Sequence, residues 1–391
     1  MARDFRLLLI TSFGLDLGYF LRIAAQSWLL FELTNGQLWV GLANAVRVIP
    51  IIVLSLIGGV LGDRGDRRHI LFSVRTALAV VVFATAILVV SEAIVPWHLL
   101  VLNLLIGAIV SFGNIAWYQM MFDLAGKDRL WVANSMSSVV SNAGAIMGPL
   151  AAGAVMAASG PGTVYFIAAA MYLSGAIGIM AIRPNFAKAA ETKTKMVAEL
   201  AAGLRYVRSN SNIGWALIVA ATALAHAAIH PLLPVYARDV FHRDANGYGQ
   251  LFGAFGVGLF VGAALLSVLP SVKRKGVVVL VATLVWDIAM ATFGVSRIFG
   301  VSLLLMFVMG FAGAYLGNAL VTILQTMSSD EMRGRVMSIF IVAAEMGTVG
   351  WLAGGALAQW VGNEEALLIA AGAGTGVTVL AFIMSPALRR A

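Results

Sequence analysis

Apolar residues run almost unbroken along this chain, interrupted at regular intervals by short polar connectors. Twelve such runs stand out, at 7–33, 38–62, 70–90, 97–121, 130–158, 164–182, 213–236, 248–269, 276–295, 298–324, 336–361 and 366–385. Each is long enough for a membrane-spanning helix, which needs about 20 apolar residues. Their continuity favours helices over barrel strands, in which apolar and polar positions alternate. The longest and most polar gap, 183–212, separates six segments from six. The pattern therefore predicts an all-α membrane protein of twelve helices. Its expected organisation is a six-helix bundle over 1–182, a linker over 183–212 and a second bundle over 213–391. Arg3 and Arg6 ahead of an apolar run imitate a signal peptide. The run continues to Leu33 and carries Asp16 and Arg22, so it reads as a retained first helix.

Composition agrees with lipid as the solvent. Of 391 residues, 61% are hydrophobic and 11% charged, against roughly 25% charged in soluble domains. Mean hydropathy is +0.93. The chain has no cysteine, which excludes disulfides, thiol catalysis and Cys-ligated zinc. The net charge of +8 reflects topology. With the N-terminus inside, 20 Lys and Arg fall on the cytoplasmic side, Arg238, Arg243 and Arg297 on the other, and Arg22, Arg47 and Arg75 within spans. This follows the positive-inside rule, puts both termini in the cytoplasm and leaves no case for nucleic acid. Within the linker, Val197, Leu200, Leu204 and Val207 share one helical face, as expected for a short amphipathic helix on the inner membrane surface.

The halves echo each other. At an offset of 202 residues, Asp128, Gly148 and Gly153 map onto Asp330, Gly350 and Gly355, as expected for two homologous bundles of a secondary transporter.

The most specific local pattern is Gly59-Val-Leu-Gly-Asp63-Arg64-Gly65-Asp66-Arg67-Arg68, in the turn between the second and third segments. It resembles the loop signature G-x-x-x-D-R-x-G-R-R of the major facilitator superfamily, with Asp66 in place of the second glycine. The D-R-x-D-R-R variant is similar to the branch containing siderophore and macrolide exporters, the enterobactin exporter among them. Gly203-Leu-Arg-Tyr-Val-Arg208, Leu233-Pro-Val-Tyr-Ala-Arg-Asp239 and Arg333-Gly-Arg-Val-Met-Ser338 extend the resemblance along the chain. It implies a transporter rather than an enzyme, working by alternating access on a small molecule, without cofactor or metal, and able to act as a monomer. It also implies that Gly59, Asp63, Arg64, Arg67 and Arg68 form a conformational latch, whose arginines can in addition meet anionic lipid headgroups. Gly144, Gly148, Pro149 and Gly153 in the fifth segment partly resemble the family's antiporter motif, with Ala152 where glycine is usual. The alternative is an ordinary small-residue packing face.

Ionisable residues inside spans are the site candidates, because hydrocarbon tolerates them poorly. In the first segment Ser12, Asp16, Tyr19, Arg22 and Gln26 share an arc of about 120°, and in the second Asn44, Arg47 and Ser55 cover about 80°. Arg22 and Arg47 are expected in the outer half of the membrane, where an anionic cargo compensates them, with Asp16 deeper. Asn114, Tyr118, His226, Asn318 and Gln325 complete the expected cargo contacts, Tyr315 and Thr322 lying on the same stripe as the last two. Asp16 and Glu345 are the expected proton carriers. Arg75 is read as structural, its head snorkelling to the interface, and Asp287 as peripheral on the ninth helix. His226 and His230 have i,i+4 spacing, but Pro231 disfavours helical geometry at His230. The function expected from these residues is proton-coupled export of an amphiphilic, anionic siderophore, drug or metabolite. A lipid or lysophospholipid flippase is the rival; a membrane-embedded enzyme and a non-transporting sensor fit less well.

Overall fold

The computed structural model describes residues 3–61, 66–126, 129–183, 205–268 and 274–386. Among them are twelve long helical segments and no strand. They are α1 (Arg3–Thr34), α2 (Gln37–Leu61), α3 (Arg67–Val90), α4 (Pro96–Ala125), α5 (Leu130–Ser159) and α6 (Pro161–Met180), followed by an interrupted α7 (Ser211–Val240). Next come α8 (Ala245–Val268), α9 (Lys275–Val295), α10 (Phe299–Met327), α11 (Asp330–Val361) and α12 (Asn363–Met384). Eleven are long and apolar enough to cross a membrane; α11, of 32 residues, carries Glu345 midway. Of the linker, 183 and 205–212 are described, with helix over 205–209; the rest of the expected amphipathic stretch, with Asp63, Arg64 and Asp128, lies outside the described residues.

Two compact units divide the chain. The first comprises 1–35, 43–192 and 242–253; the second comprises 36–42, 193–241 and 254–391. This differs from a simple cut in the linker, because the first turns of α2 belong to the second unit and those of α8 to the first.

In the first unit α1 packs against α5 and α6, and α3 against α4 and α6. Lipid offers no hydrophobic drive for such contacts, so close backbone approach and dispersion must supply it. A side chain at Gly144 would lie 3.1 Å from the Asp16 backbone. One at Gly148 would collide with the Phe20 side chain. Further along α5, a side chain at Gly153 would come within 2.7 Å of the Ala245 carbonyl. Ala152 is fully buried in this row. The Pro149 carbonyl lies against Gly249 of α8, so all four positions in the α5 motif are helix–helix contact points.

In the second unit α9 packs on α10 and α12, and α11 on α12 and the middle of α7. Here α7 is irregular: helix over Ser211–Ala220 and Ala223–His226, a 3-10 stretch Ala227–Leu232 around Pro231, then a π-helical turn Tyr236–Val240. Proline at 231 removes a donor and disfavours α geometry just before it. α11 covers this segment with glycine: Gly350 meets the Leu224 backbone and Gly354 that of Ala228. Gly355 lies against the Gln37 backbone. The Tyr206 hydroxyl accepts the Ser329 N–H at 3.3 Å, which holds the phenol below its usual range and ties the start of the unit to α11.

The 202-residue echo has a structural counterpart. Gly148 in α5 faces α1 and its match Gly350 in α11 faces α7. Gly160 joins α5 to α6 with φ 79°, and Gly362, at the same offset, joins α11 to α12 with φ 100°. A left-handed hinge of this kind favours glycine.

Large apolar residues face outward on many helices: Ile10, Val80, Phe83, Ile177 and Ile288 are all half or more exposed. Hydrocarbon is the medium that accepts such a surface. Trp97 and Trp360 sit exposed near helix ends, where amphipathic rings favour the interface.

Gly148→Val should lower stability by about 1–3 kcal/mol through overpacking between α1 and α5. Gly376→Ala, with open space around it, should be close to neutral. Thermal unfolding of both variants in detergent checks the contrast; equal midpoints would mean that α1 and α5 yield freely.

Candidate functional site

A cavity of about 610 Å³ lies within the first unit, walled by α1–α6. Helix 1 contributes Ser12, Asp16 and Tyr19; α2 gives Arg47; α3 gives Val74 and Arg75; α4 gives Trp117 and Tyr118; α5 gives Asn134, Ser137, Ser138 and Ser141; α6 gives Tyr172. Aromatic faces and alkyl groups form most of the wall, and a few polar groups project from it. Its volume is typical of small-molecule sites.

Local packing explains how these groups are aimed. Gly107 on α4 touches the Arg47 carbonyl and lies 3.1 Å (as a built side chain) from the Pro50 ring, so α4 comes close enough to present Trp117 and Tyr118 on the same wall. Trp117 donates its indole N–H to Ser12 at 3.1 Å. Gly144 brings α5 against the backbone at Asp16, and Ser141 hydrogen-bonds the Asp16 carboxylate. Arg47 stands 5.3 Å over the Tyr19 ring, a cation–π distance. Arg47 makes no hydrogen bond or ion pair with the described residues, and its Nε is buried without a partner.

Arg22 behaves differently from the expected cargo contact. It is 2% exposed and outside the cavity lining. One of its nitrogens donates to Gln26 at 2.8 Å and to Asn103 at 3.1 Å, and Asn103 donates to Gln26 at 2.7 Å. Arg22 and Gln26 are therefore held in a buried polar triad with α4. Arg75 also departs from expectation. It does not snorkel: it is 1% exposed, lines the cavity and donates to the carbonyls of Thr11 at 3.2 Å and Gly175 at 3.0 Å. It is Arg75, rather than Arg22 or Arg47, that lies in electrostatic range of Asp16.

In the second unit His226 is 6% exposed and sits 3.1 Å from Asp287, itself 2% exposed. Thr375 donates to the other Asp287 oxygen at 2.8 Å. Gly374 leaves the room they need: a side chain there would stand 2.9 Å from both Asp287 oxygens and 3.1 Å from the imidazole. Asp287 is thus an interior residue joining α7, α9 and α12, and His226 a structural partner buried beside Trp286. His230 stacks on Trp351 at 4.9 Å. Asn318 turns back to its own helix at the Ala314 carbonyl, and exposed Gln325 accepts Arg333 on its backbone.

The loop residues that are described hold helix ends together. Asp66 caps α3, accepting the Arg68 N–H at 2.9 Å and facing His69 at 3.0 Å. This gives the departure from glycine a physical role. Arg67 is buried in an ion pair with Asp123 of α4, so it is not available to lipid headgroups. Arg68 reaches the Met180 carbonyl at the end of α6 at 3.3 Å, a favourable place for a cation. Gly59, Asn114 and Glu345 lie in α2, α4 and α11, and their side-chain surroundings fall outside the described set.

Sequence comparison matches residues 2–389 to the family described as transmembrane secretion effector. The enterobactin exporter EntS of Citrobacter koseri is 23% identical over 312 residues, 79% of this chain and 74% of that one. EntS of Escherichia coli O1:K1 / APEC aligns over the same length at 23%. Among solved structures, the nucleoside transporter NupG superposes with a TM-score of 0.80 at 13% identity, covering 98% of this chain and 99% of that one. A bacterial homologue of the human lysosomal transporter Spinster, inward-facing and occupied, gives 0.72 at 14% identity over 100% and 98%. At these identities the two structures establish a common fold.

Because Asp287 is buried and accepts from Thr375 beside His226, Asp287→Ala should destabilise the protein by about 1–3 kcal/mol. A double-mutant cycle with His226→Ala should give a coupling of about 0.5–3 kcal/mol. Additive losses in thermal unfolding would mean that the two side chains do not interact.

Proposed function

The chain belongs to the transmembrane secretion effector family of the major facilitator superfamily, and on that premise we propose that it exports a small amphiphilic, anionic molecule in exchange for protons. It is a multi-pass inner-membrane transporter, not an enzyme. The observation that carries the cargo reading is Arg47, a cation on the wall of an aromatic cavity, engaged by the Tyr19 ring and by no acid. A charge held this way in a low-dielectric setting is compensated by water or by an anion. Tyr19, Trp117 and Tyr118 offer faces for an aromatic or apolar body, and the α5 hydroxyls offer hydrogen bonds. A catechol siderophore has both features, and relatives at 23% identity are named as enterobactin exporters.

Proton exchange assigns the carrier to Asp16, on the cavity wall, or to Glu345 on α11. Coupling requires that proton and cargo favour different states of the transporter. Asp63, Arg64 and Gly59 complete the latch whose neighbouring arginines, Arg67 and Arg68, hold α3 to α4 and α6. Both termini lie in the cytoplasm, following the distribution of Lys and Arg. One copy of the chain contains the whole cavity, which favours a functional monomer.

Reconstituted protein should move enterobactin across proteoliposomes, faster under an imposed pH gradient. Asp16→Asn or Glu345→Gln should abolish the acceleration and leave slow downhill movement. Full proton-driven flux in both variants would remove both residues as carriers. Movement of a fluorescent lysophospholipid in place of enterobactin would establish the flippase reading instead.

The latch has its own test. Asp63→Asn should remove most flux at unchanged expression and unchanged thermal midpoint, because the loss is of contacts made in one state only. Near-normal flux in the purified variant would exclude a latch role.

A further inference from the structure

We propose that Arg75 is the second anion-binding group of the cavity, and that a carboxylate, catecholate or phosphate group of the cargo binds it side-on. The proposal rests on the reading of the cavity as the cargo site and specifies where the cargo's negative charge is held.

The geometry of one guanidinium carries the argument. Arg75 uses Nη1 for two backbone carbonyls, Thr11 on α1 and Gly175 on α6. Its Nε and Nη2 are buried and have no partner. Those two nitrogens form the edge that offers parallel N–H groups to a planar acid, the geometry in which arginine binds a carboxylate or phosphate in bidentate fashion. The side chain is 1% exposed and belongs to a residue that lines the cavity. Gly175 is part of that construction: a side chain there would lie 3.2 Å from Nη1 and 3.3 Å from the Thr11 carbonyl. Donors left unsatisfied in a buried setting are costly; Arg22 shares this feature, but of the two only Arg75 belongs to the cavity wall, where a cargo acceptor can relieve it.

The nearest acid does not fill that role. Asp16 is in electrostatic range of Arg75 but forms no ion pair with it within 4.0 Å, and hydrogen-bonds Ser141 instead. An arriving anion therefore meets a guanidinium whose neighbouring negative charge opposes its entry without occupying the edge. Arg47 supplies the other cation. Arg75 is tied to α1 at the Thr11 carbonyl and Arg47 stands over the Tyr19 ring, positions about two helical turns apart on α1. An elongated cargo with acidic groups at two depths, or one acid and one aromatic ring, matches this spacing.

Salicylate and its neutral amide, salicylamide, are suitable probes, because they differ in the charge that Arg75 would read. Binding is followed by calorimetry on the full chain in detergent at fixed salt. The wild type should bind salicylate more tightly. Arg75→Gln should weaken salicylate by about tenfold or more and salicylamide much less. Arg75→Lys keeps a charge and a donor for the carbonyls but loses the fork, and should also lose affinity for salicylate at an unchanged thermal midpoint. Asp16→Asn leaves the carbonyl clamp intact and should tighten salicylate by removing the opposing charge. Failure of salicylate to bind, equal losses of both probes in Arg75→Gln, or wild-type affinity in Arg75→Lys would each overturn the assignment. Enterobactin flux that survives any of those results would leave the transport reading in place and remove only the Arg75 site.

Discussion

Close approach of helix backbones is the constraint from which this structure follows. Water does not drive helices together within a bilayer, so contact must come from dispersion between surfaces that fit. Gly258 and Gly310 show the geometry in reciprocal form: each lies against the backbone of the other's helix, at Phe307 and Phe255. Gly148 does the same for α1 and α5, and Gly350 for α7 and α11. A bulkier residue at any of these places separates two helices and shifts whatever they carry. The cavity depends on this directly, since Gly107 and Gly144 set the distance from α2 to α4 and from α1 to α5.

Similar rules in both halves produce different interiors. The matched glycines at 148 and 350, and the left-handed hinges at 160 and 362, repeat a framework. The first unit uses it to wall a mostly apolar cavity with a few polar groups, whereas the second closes its buried acid against a histidine and a threonine. Breaks in α7 accompany that second solution. A 3-10 stretch and a π-helical turn leave backbone groups to be met elsewhere, and the glycine face of α11 packs against the irregular segment. Irregular backbone is tolerated at membrane depth when protein buries it.

Much of the fold could be read from the chain because its signals are local and strong. Continuous apolar runs set helix positions to within a few residues. The exception, α11, begins six positions before its apolar run, because the polar stretch from Asp330 to Arg335 is helical too. Pro231 correctly marked disturbed geometry in α7. The partners of buried polar residues were not legible, because helical periodicity gives a face and not what lies across from it. Arg22 finds Asn103, 81 residues away, and His226 finds Asp287 on a helix expected to be peripheral. Arg75 lies near enough to a helix end for its long stem to reach the interface, and only the positions of α1 and α6 show that it turns inward. The α5 hydroxyls at Ser137, Ser138 and Ser141 were also missed; their clustering at helical spacing, with Asn134 a turn earlier, was the available signal.

The three intramembrane arginines show why charge count alone is a poor guide to a binding site. Each carries the same cation, and Arg22 and Arg47 both stand over the Tyr19 ring, yet their hydrogen bonds differ. Arg22 donates through one nitrogen to the neutral amides of Gln26 and Asn103. Arg47 leans on an aromatic face, a weaker interaction that leaves its hydrogen-bonding capacity largely unused. Arg75 is anchored through one nitrogen and keeps its bidentate edge unfilled. Arg22 and Arg75 both keep Nε and Nη2 buried without a partner, so unsatisfied donors alone do not mark a binding site; what separates the two is that Arg75 lines the cavity and Arg22 does not. By that criterion recognition belongs to Arg47 and Arg75, and Arg22 fixes the position of the helix that holds Asp16 and Tyr19 between them.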